Sequence, residues 1–294
     1  MKIAIVGGVA AGTSAAAKAR RNNKNAEIVL FERDSDISYA GCGLPYYISE
    51  VTEGREKVII NTPEGFAEKY KIDVRTKHEV LDINSEEKSL KYKKLETDKI
   101  DEYNYDKLVI TTGASPIMPP IPGHELDNIV PLRTVNDADR IKNIIDNKDP
   151  KKAVIVGAGL IGLEMAESFK ESGLEVGVIE KLPHVLPILN DEMSEIVEEH
   201  LKEKDVDLVL NDGVSEFKGN EKVEKVVTES GREMEADLVL LAIGVKPNAE
   251  LAKKAGLEIG ETGAIAVNEK METSKKDIYA AGDCAESKDL LTGK

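Results

Sequence analysis

Cysteine is scarce in this 294-residue chain, which holds only Cys42 and Cys284, 242 positions apart. Such a pair builds no disulfide framework of the secreted kind, and a reducing compartment, the cytoplasm, is the expected location. The four histidines (His78, His124, His184 and His200) show no metal-ligand spacing, so no metal site is expected. No apolar stretch approaches the roughly 20 residues that span a bilayer. Met1-Lys2-Ile3 runs straight into a strand, without a signal-peptide layout. Positive charge is in deficit: 40 Lys and Arg against 55 Asp and Glu leave a formal net charge of −15. That balance speaks against nucleic acid or an anionic membrane as the main partner, although a local basic cluster can still hold an anionic small molecule. The length suggests about two domains, each with a substantial core.

What is present is a glycine fingerprint, twice. The apolar run 2–6 reads as a buried strand. It ends in Gly7-Gly8-Val9-Ala10-Ala11-Gly12 and leads into an alanine-rich helix over 13–21. Glycine lets the backbone turn sharply and approach a pyrophosphate, whose charge then lies at the helix N-terminus. A second strand over 27–31 ends at Glu32, placed to accept hydrogen bonds from a ribose. Val9 stands where the usual fingerprint has its middle glycine, so a tight turn without a ligand stays open as the alternative. Lys18, Arg20, Arg21 and Lys24 cluster at the end of the helix. Cations suit a helix C-terminus, and the same cluster could be an anion site.

The second half repeats the plan. A strand over 153–156 runs into Gly157-Ala-Gly159-Leu-Ile-Gly162 and a helix over 163–172, and a strand over 175–179 ends at Glu180, eighteen residues after Gly162. Here all three glycines keep the dinucleotide spacing. An acid at that strand end favours the ribose 2′-hydroxyl of NADH over the phosphate of NADPH; Lys181 beside it leaves NADPH possible. Each half then continues with an alternating, charged β-meander (80–105 and 214–235) and a glycine-ended strand, 107–110 and 237–242. The order reads as an internal duplication of one nucleotide-binding module. The stiff Pro116–Gly123 stretch reads as a crossing between domains. A late segment, Ile278-Tyr-Ala-Ala-Gly282-Asp283-Cys284, has the form of a strand delivering a carboxylate, with Cys284 as packing.

Between these parts lies Ser38-Tyr-Ala-Gly41-Cys42-Gly-Leu44-Pro45-Tyr46-Tyr47. Gly41 and Gly43 leave room around the sulfur, and Leu44-Pro45 suits the first turn of a helix. A helix N-terminus stabilises a thiolate and makes such a cysteine a nucleophile; a buried, inert small hydrophobe is the competing reading.

Two modules, an early redox cysteine and a late Gly-Asp segment together resemble the pyridine nucleotide-disulfide oxidoreductases, over the whole chain. The resemblance implies an α/β fold of two Rossmann-like nucleotide-binding domains, glutathione-reductase-like, each with a β-meander insertion. It implies an FAD-binding domain over 1–115, an NADH-binding domain over 116–245, and a return segment of the FAD domain over 246–294. Gly7, Ala10, Ala11 and Gly12 would then hold the FAD pyrophosphate and Glu32 its adenosine ribose. Arg33 and Val80 would lie near the adenine, Thr112 and Gly113 along the nucleotide, and Asp283 by the ribityl chain. Gly157, Gly159, Ile161, Gly162, Glu180 and Gly244 would line the NADH site.

Most of the family pairs two cysteines four residues apart, and Cys42 has no such partner, Tyr47 standing five positions on. The chain is therefore similar to the single-cysteine branch: coenzyme A-disulfide reductases, persulfide and polysulfide reductases, and NADH oxidases and peroxidases. Ala10 replaces the histidine that the oxidases and peroxidases carry in the first loop, and Leu44-Pro45-Tyr46 resembles the coenzyme A-disulfide reductases. In that group the first helix meets the coenzyme A, which here implies Ser14, Lys18 and Arg21, with Ser38 near the sulfur. The chain departs at Gly41, where many relatives carry asparagine. It also stops at Lys294, short of the dimerisation domain that family members carry, so a homodimer is expected only with that domain. The expectation is an FAD-dependent NAD(P)H oxidoreductase that reduces coenzyme A disulfide, or a related persulfide or polysulfide, through Cys42. The alternatives are an NADH oxidase or peroxidase cycling Cys42 through sulfenic acid, a nucleotide-binding fragment without turnover, or a plain NAD-binding module without flavin.

Overall fold

The structure is a computed structural model that describes residues 1–287. Its elements run in chain order from β1 (Lys2–Val6), α1 (Ala10–Asn22) and β2 (Glu27–Phe31) to a short α2 (Leu44–Ile48), α3 (Pro63–Tyr70) and β3 (Asp73–Arg75). The first meander follows as β4 (His78–Asn84), β5 (Ser89–Lys94) and β6 (Lys99–Asn104), then β7 (Lys107–Ile110) and β8 (Ala114–Pro116). Next come β9 (Ile129–Val130), α4 (Val135–Lys148), β10 (Lys152–Val156), α5 (Leu160–Glu171), β11 (Glu175–Ile179), α6 (Asp191–Glu203) and β12 (Val206–Val209). The second meander is β13 (Val214–Gly219), β14 (Val223–Thr228) and β15 (Glu233–Glu235), followed by β16 (Leu238–Leu241), β17 (Val245–Pro247), α7 (Glu250–Lys254) and β18 (Ile278–Ala280).

The chain forms two compact units. Among the described residues, one comprises 1–40, 59–115 and 246–287; the other comprises 41–58 and 116–245. The first unit is built on a five-stranded parallel sheet in the order β18-β7-β1-β2-β3. Its central strands β1 and β2 are buried on both faces beyond their first residue, as near-continuous apolar runs require. Ile3, Ile5, Ile28 and Leu30 pack with Ala16 and Ala17 of α1 and Phe66 of α3 on one side. Ala4, Val6, Val29 and Phe31 meet Ile83, Leu90 and Tyr92 of the meander and Ala252 of α7 on the other. The alternation follows from the two-residue period of a strand.

The second unit has the sheet order β12-β11-β10-β16-β9, again parallel. Val154, Val156, Ile179, Val239 and Leu241 meet Phe217, Val223, Val226 and Met234 of the second meander. Helix α5 packs on β10 and β11, and α6 on β12. The fold is α/β with two parallel nucleotide-type sheets, each carrying an antiparallel three-stranded meander.

Four helices, α3, α4, α6 and α7, were not in the sequence expectation, and three of them carry legible caps. Thr62 accepts from the Gly65 amide, Asn190 from Met193, and Thr134 and Asp137 form a reciprocal capping box. The expected helices also start three residues early: α1 begins at Ala10 and α5 at Leu160, because the last fingerprint glycine belongs inside the first turn.

Asp277, just before β18, accepts from Lys88 Nζ at 2.6 Å and Lys107 Nζ at 3.0 Å. These lysines, Lys88 first, hold its carboxyl down to about 2 from the ordinary 3.8. Stability from this anchor is therefore present above pH 3.8 and lost as pH falls toward about 2. Asp277→Asn keeps a residue type that tolerates the left-handed φ of +64°. It is expected to lower the melting temperature near pH 7, with the deficit against wild type vanishing across that acid window in a pH series of melting curves.

Candidate functional site

Each sheet ends in the same turn. In the first unit Gly7, at φ +104°, donates its amide to Phe31 O at 2.8 Å, and a Cβ there would collide with the Thr111 carbonyl. Gly8 N donates to Glu32 Oε2 at 2.6 Å and Asp34 N to Glu32 Oε1 at 2.9 Å. Gly12 lies so close on the Gly7 carbonyl that any side chain would be excluded. In the second unit Gly157, at φ +103°, donates to Ile179 O at 2.8 Å. Ala158 N donates to Glu180 Oε2 at 2.7 Å, Leu182 N donates to Glu180 Oε1 at 2.9 Å, and Gly162 packs on the Gly157 carbonyl. Both carboxylates are buried. Desolvation pushes the Glu32 carboxyl up, and the Asp34 and Gly8 amides pull it back. A carboxylate has about four acceptor positions, so each glutamate keeps capacity for a further donor such as a hydroxyl.

The helices that leave these turns start without a side-chain cap, at Val9 and at Gly159. The other described helices of eight residues or more, α3, α4 and α6, are all capped by a side chain. Orphan amides at an N-terminus need a partner, and at these two starts the capping residue's side chain supplies none. Gly159 also faces open space: a Cβ would meet nothing within 4 Å. The second turn opens on a cavity of about 680 Å³ lined by Gly157, Gly159, Ile161, Glu180, Lys181 and Gly244, with Leu160, Leu182, Ile188 and Ile243 as apolar walls. Gly162 does not line it and serves as packing beneath the loop.

The other expected residues of the first unit fall as follows. Ala10 is exposed, and Ala11 stands against Gly282, where a Cβ would come within 2.9 Å of the Ala11 Cβ. Asp283 is thereby carried to the start of α1 by β18 and is exposed. Thr112 Oγ1 donates to Asn248 O at 2.7 Å and Thr112 O accepts from Asn248 Nδ2 at 2.8 Å, while Gly113 turns at φ +63°. Arg33 is exposed, and Val80 packs against the meander core. Cys284 is buried, its Sγ against the carbonyls of Ile110 and Ala281.

Ser14, Lys18 and Arg21 are all exposed on α1 at i, i+4 and i+7, one helical face. Arg20 is different: it donates to the carbonyls of Tyr70, Lys71 and Lys24, so only part of the basic cluster faces outward. Ser38 is buried at φ +51°, with its Oγ accepting from Asn61 Nδ2 at 2.9 Å.

Cys42 lies in a one-turn 3₁₀ segment, Gly41–Gly43, and is exposed, which removes the reading of an inert buried hydrophobe. Helix α2 follows with Pro45 in its first turn. Tyr47 OH donates to Asp139 Oδ1 at 2.9 Å, and Arg55 Nε donates to Asp139 Oδ2 at 2.8 Å. Ser168 Oγ of α5 donates to Pro45 O at 2.7 Å, and Lys142 of α4 pairs with Glu50 at 2.6 Å. Burial, and then Asp139, push the Tyr47 hydroxyl up to about 12, so it remains a donor across the physiological range. The segment 41–58 is thus strapped to α4 and α5 of its own unit. Among the described residues there is no cluster of three or more metal-ligating side chains and no helix long and apolar enough to cross a membrane.

The family model described as pyridine nucleotide-disulphide oxidoreductase matches residues 1–292. The chain belongs to this family. A family member named NADH oxidase, from Methanocaldococcus jannaschii, is 41% identical over 295 residues, covering 100% of this chain and 65% of its own. A second, named NAD(P)H sulfur oxidoreductase (CoA-dependent), from Pyrococcus abyssi, is 41% identical over 293 residues, covering 99% and 64%. The solved structure of reduced Bacillus anthracis CoADR-RHD superposes with a TM-score of 0.97 at 44% identity, covering 100% of this chain and 52% of that one. The chain therefore spans about 65% of the curated relatives.

Sequence reasoning missed Asp139, Ser168 and Asn248. Their partners lie 92, 123 and 136 positions away, and no local pattern marks them. Asp139→Ala removes the acceptor of both Tyr47 and Arg55, worth roughly 1–2 kcal/mol for a half-buried charged acceptor. Amide exchange over residues 44–50 is expected to quicken by about tenfold, measured by mass spectrometry, with the sheet strands β10 and β11 unchanged.

Proposed function

We propose that this chain carries the two nucleotide sites and the reactive sulfur of an FAD-dependent NAD(P)H reductase of small sulfur substrates, with coenzyme A disulfide or a related persulfide or polysulfide as acceptor. The observation that carries the reading is the doubled turn: two glycine loops of matching geometry, each braced by a buried glutamate and each opening an uncapped helix. One loop answers to each of two dinucleotides.

The second loop suits a dinucleotide: Gly159 leaves a space a side chain would fill, and a cavity of dinucleotide scale adjoins it. Gly157, Gly159 and the α5 amides would hold a pyrophosphate there, Glu180 a ribose hydroxyl, and Ile161 and Gly244 the remaining walls. NADH is the preferred donor in this reading. In the first loop Gly7, Ala10, Ala11 and Gly12 would hold the FAD pyrophosphate and Glu32 its ribose. Arg33 and Val80 would lie by the adenine, with Thr112, Gly113 and Asp283 along the rest of the nucleotide. When bound, FAD supplies a hydride acceptor and returns the electron pair to sulfur.

Cys42 does the sulfur chemistry. Its thiolate attacks one sulfur of RS–SR; the S–S bond breaks, one RS⁻ leaves and takes a proton, and a Cys42–S–SR bond forms. Two electrons and a proton then release the second RSH and restore the thiolate, so the sum is RS–SR + NADH + H⁺ → 2 RSH + NAD⁺. Ser14, Lys18 and Arg21 offer an exposed polar and cationic face for the phosphates of a coenzyme A moiety, and Ser38 orders the backbone on the approach to Gly41. A cytoplasmic location completes the reading, with a homodimer only where a C-terminal dimerisation domain is present.

A second reading is supported by the relative named NADH oxidase at 41% identity: Cys42 would cycle through sulfenic acid with oxygen or peroxide as acceptor. NADH consumption measured with coenzyme A disulfide, polysulfide, oxygen and peroxide as sole acceptors separates the two. Disulfide or polysulfide is expected to sustain turnover, and Cys42→Ser to reduce it by about a thousandfold or more with flavin content unchanged. Full turnover in that variant would overturn the mechanism, and turnover with oxygen alone would favour the oxidase.

A further inference from the structure

One corner of the second unit's cavity is acidic in a way the fingerprint does not explain. Glu180 and Lys181 line it from the end of β11, Asp212 and Gly213 from the loop before β13, and Glu229 from the turn after β14. The corner is built rather than loose. Glu229 N donates to Gly213 O at 2.7 Å, and the Glu229 carboxylate lies over Gly213, where a Cβ would stand 2.6 Å from its Oε1. Asp212 is buried and accepts from Ser230 Oγ at 2.6 Å and Ser230 N at 3.1 Å. Lys181, the cation of the corner, pairs with Glu229 Oε1 at 3.2 Å. Its side chain is 73% exposed and that of Glu229 is 54% exposed, so the pair contributes little to stability. Its position suits another purpose.

We infer that Glu229, on the second meander, is a specificity-determining residue that biases this cavity toward NADH over NADPH. It does so by engaging Lys181 and by adding its own charge to the wall. The inference rests on the reading of Glu180 as the partner of the adenosine ribose. The two dinucleotides differ there by one phosphate, close to two negative charges at neutral pH. Glu180, Asp212 and Glu229 contribute three carboxylates to the lining and Lys181 one ammonium, a net of two negatives in the corner where that phosphate would lie. Removing the Glu229 charge halves the opposition and leaves the ammonium unpaired, two changes of the same sign. A 2′-hydroxyl carries no charge and feels neither.

The probes are NAD⁺ and NADP⁺, titrated calorimetrically into the chain with FAD saturating so that its own site is filled and no hydride moves. Glu229→Gln is expected to tighten NADP⁺ about tenfold and to change NAD⁺ less than about twofold at roughly 0.05 M salt. The gain should shrink as salt is raised toward roughly 0.5 M, where the screening length falls to a few ångströms. Adding Lys181→Ala to Glu229→Gln should remove most of it. An unchanged NADP⁺ to NAD⁺ ratio in Glu229→Gln would overturn the inference while NAD⁺ binding left the nucleotide reading standing. A gain undiminished by Lys181→Ala would overturn it too, since the ammonium would then play no part. No binding of NAD⁺ to the wild-type chain would overturn the nucleotide reading and this inference with it.

Discussion

A buried carboxylate gripping a backbone amide is the interaction on which the rest depends. At the end of a parallel strand the chain must reverse into a helix within a few residues, and the reversal leaves amides pointing away from any ladder. Glu32 takes the amide of Gly8, and Glu180 takes that of Ala158, from the end of the adjacent strand in each sheet. Desolvating a carboxylate is costly unless its oxygens are occupied; the second amide on each, from Asp34 and Leu182, supplies that occupation. The turn, the strand end and the uncapped helix start are thus fixed as one object. A glycine at the turn and another in the first helical turn follow from the close approach of backbone to backbone.

Around this shared frame the two units diverge where their proposed tasks diverge. The first loop carries Val9 where the second carries Gly159, and Gly282 and Asp283 return to its α1 from the far end of the chain. The second unit takes in residues 41–58, so the exposed sulfur of Cys42 precedes a helix held by Ser168 of α5, the helix that opens at the second glycine loop. Asp139 serves two donors of that segment at once, Tyr47 and Arg55.

Much of this was legible in the residues. The runs that became β1, β2, β7 and β11 read correctly because a parallel strand buried on both faces is apolar throughout. The glycine spacing marked both turns, and the duplicated order marked the repeat. Helices α4 and α6 were missed although Thr134, Asp137 and Asn190 signal their starts. The state of Cys42 was not legible: small neighbours allow a buried sulfur as readily as an exposed one, and the strap that presents it comes from residues about a hundred positions away. Within the basic cluster on α1, Arg20 donates to distant carbonyls, while Lys18 and Arg21, which the resemblance singles out, are exposed.

The most direct test of the twin-cradle account is a crystal structure of the chain grown with FAD and NAD⁺ together. One flavin nucleotide per chain is expected, its pyrophosphate on the turn Gly7–Gly12, and one NAD⁺ with its pyrophosphate on Gly157–Gly162. Either turn left without a pyrophosphate at saturating nucleotide, or a nucleotide bound away from both glutamates, would contradict it.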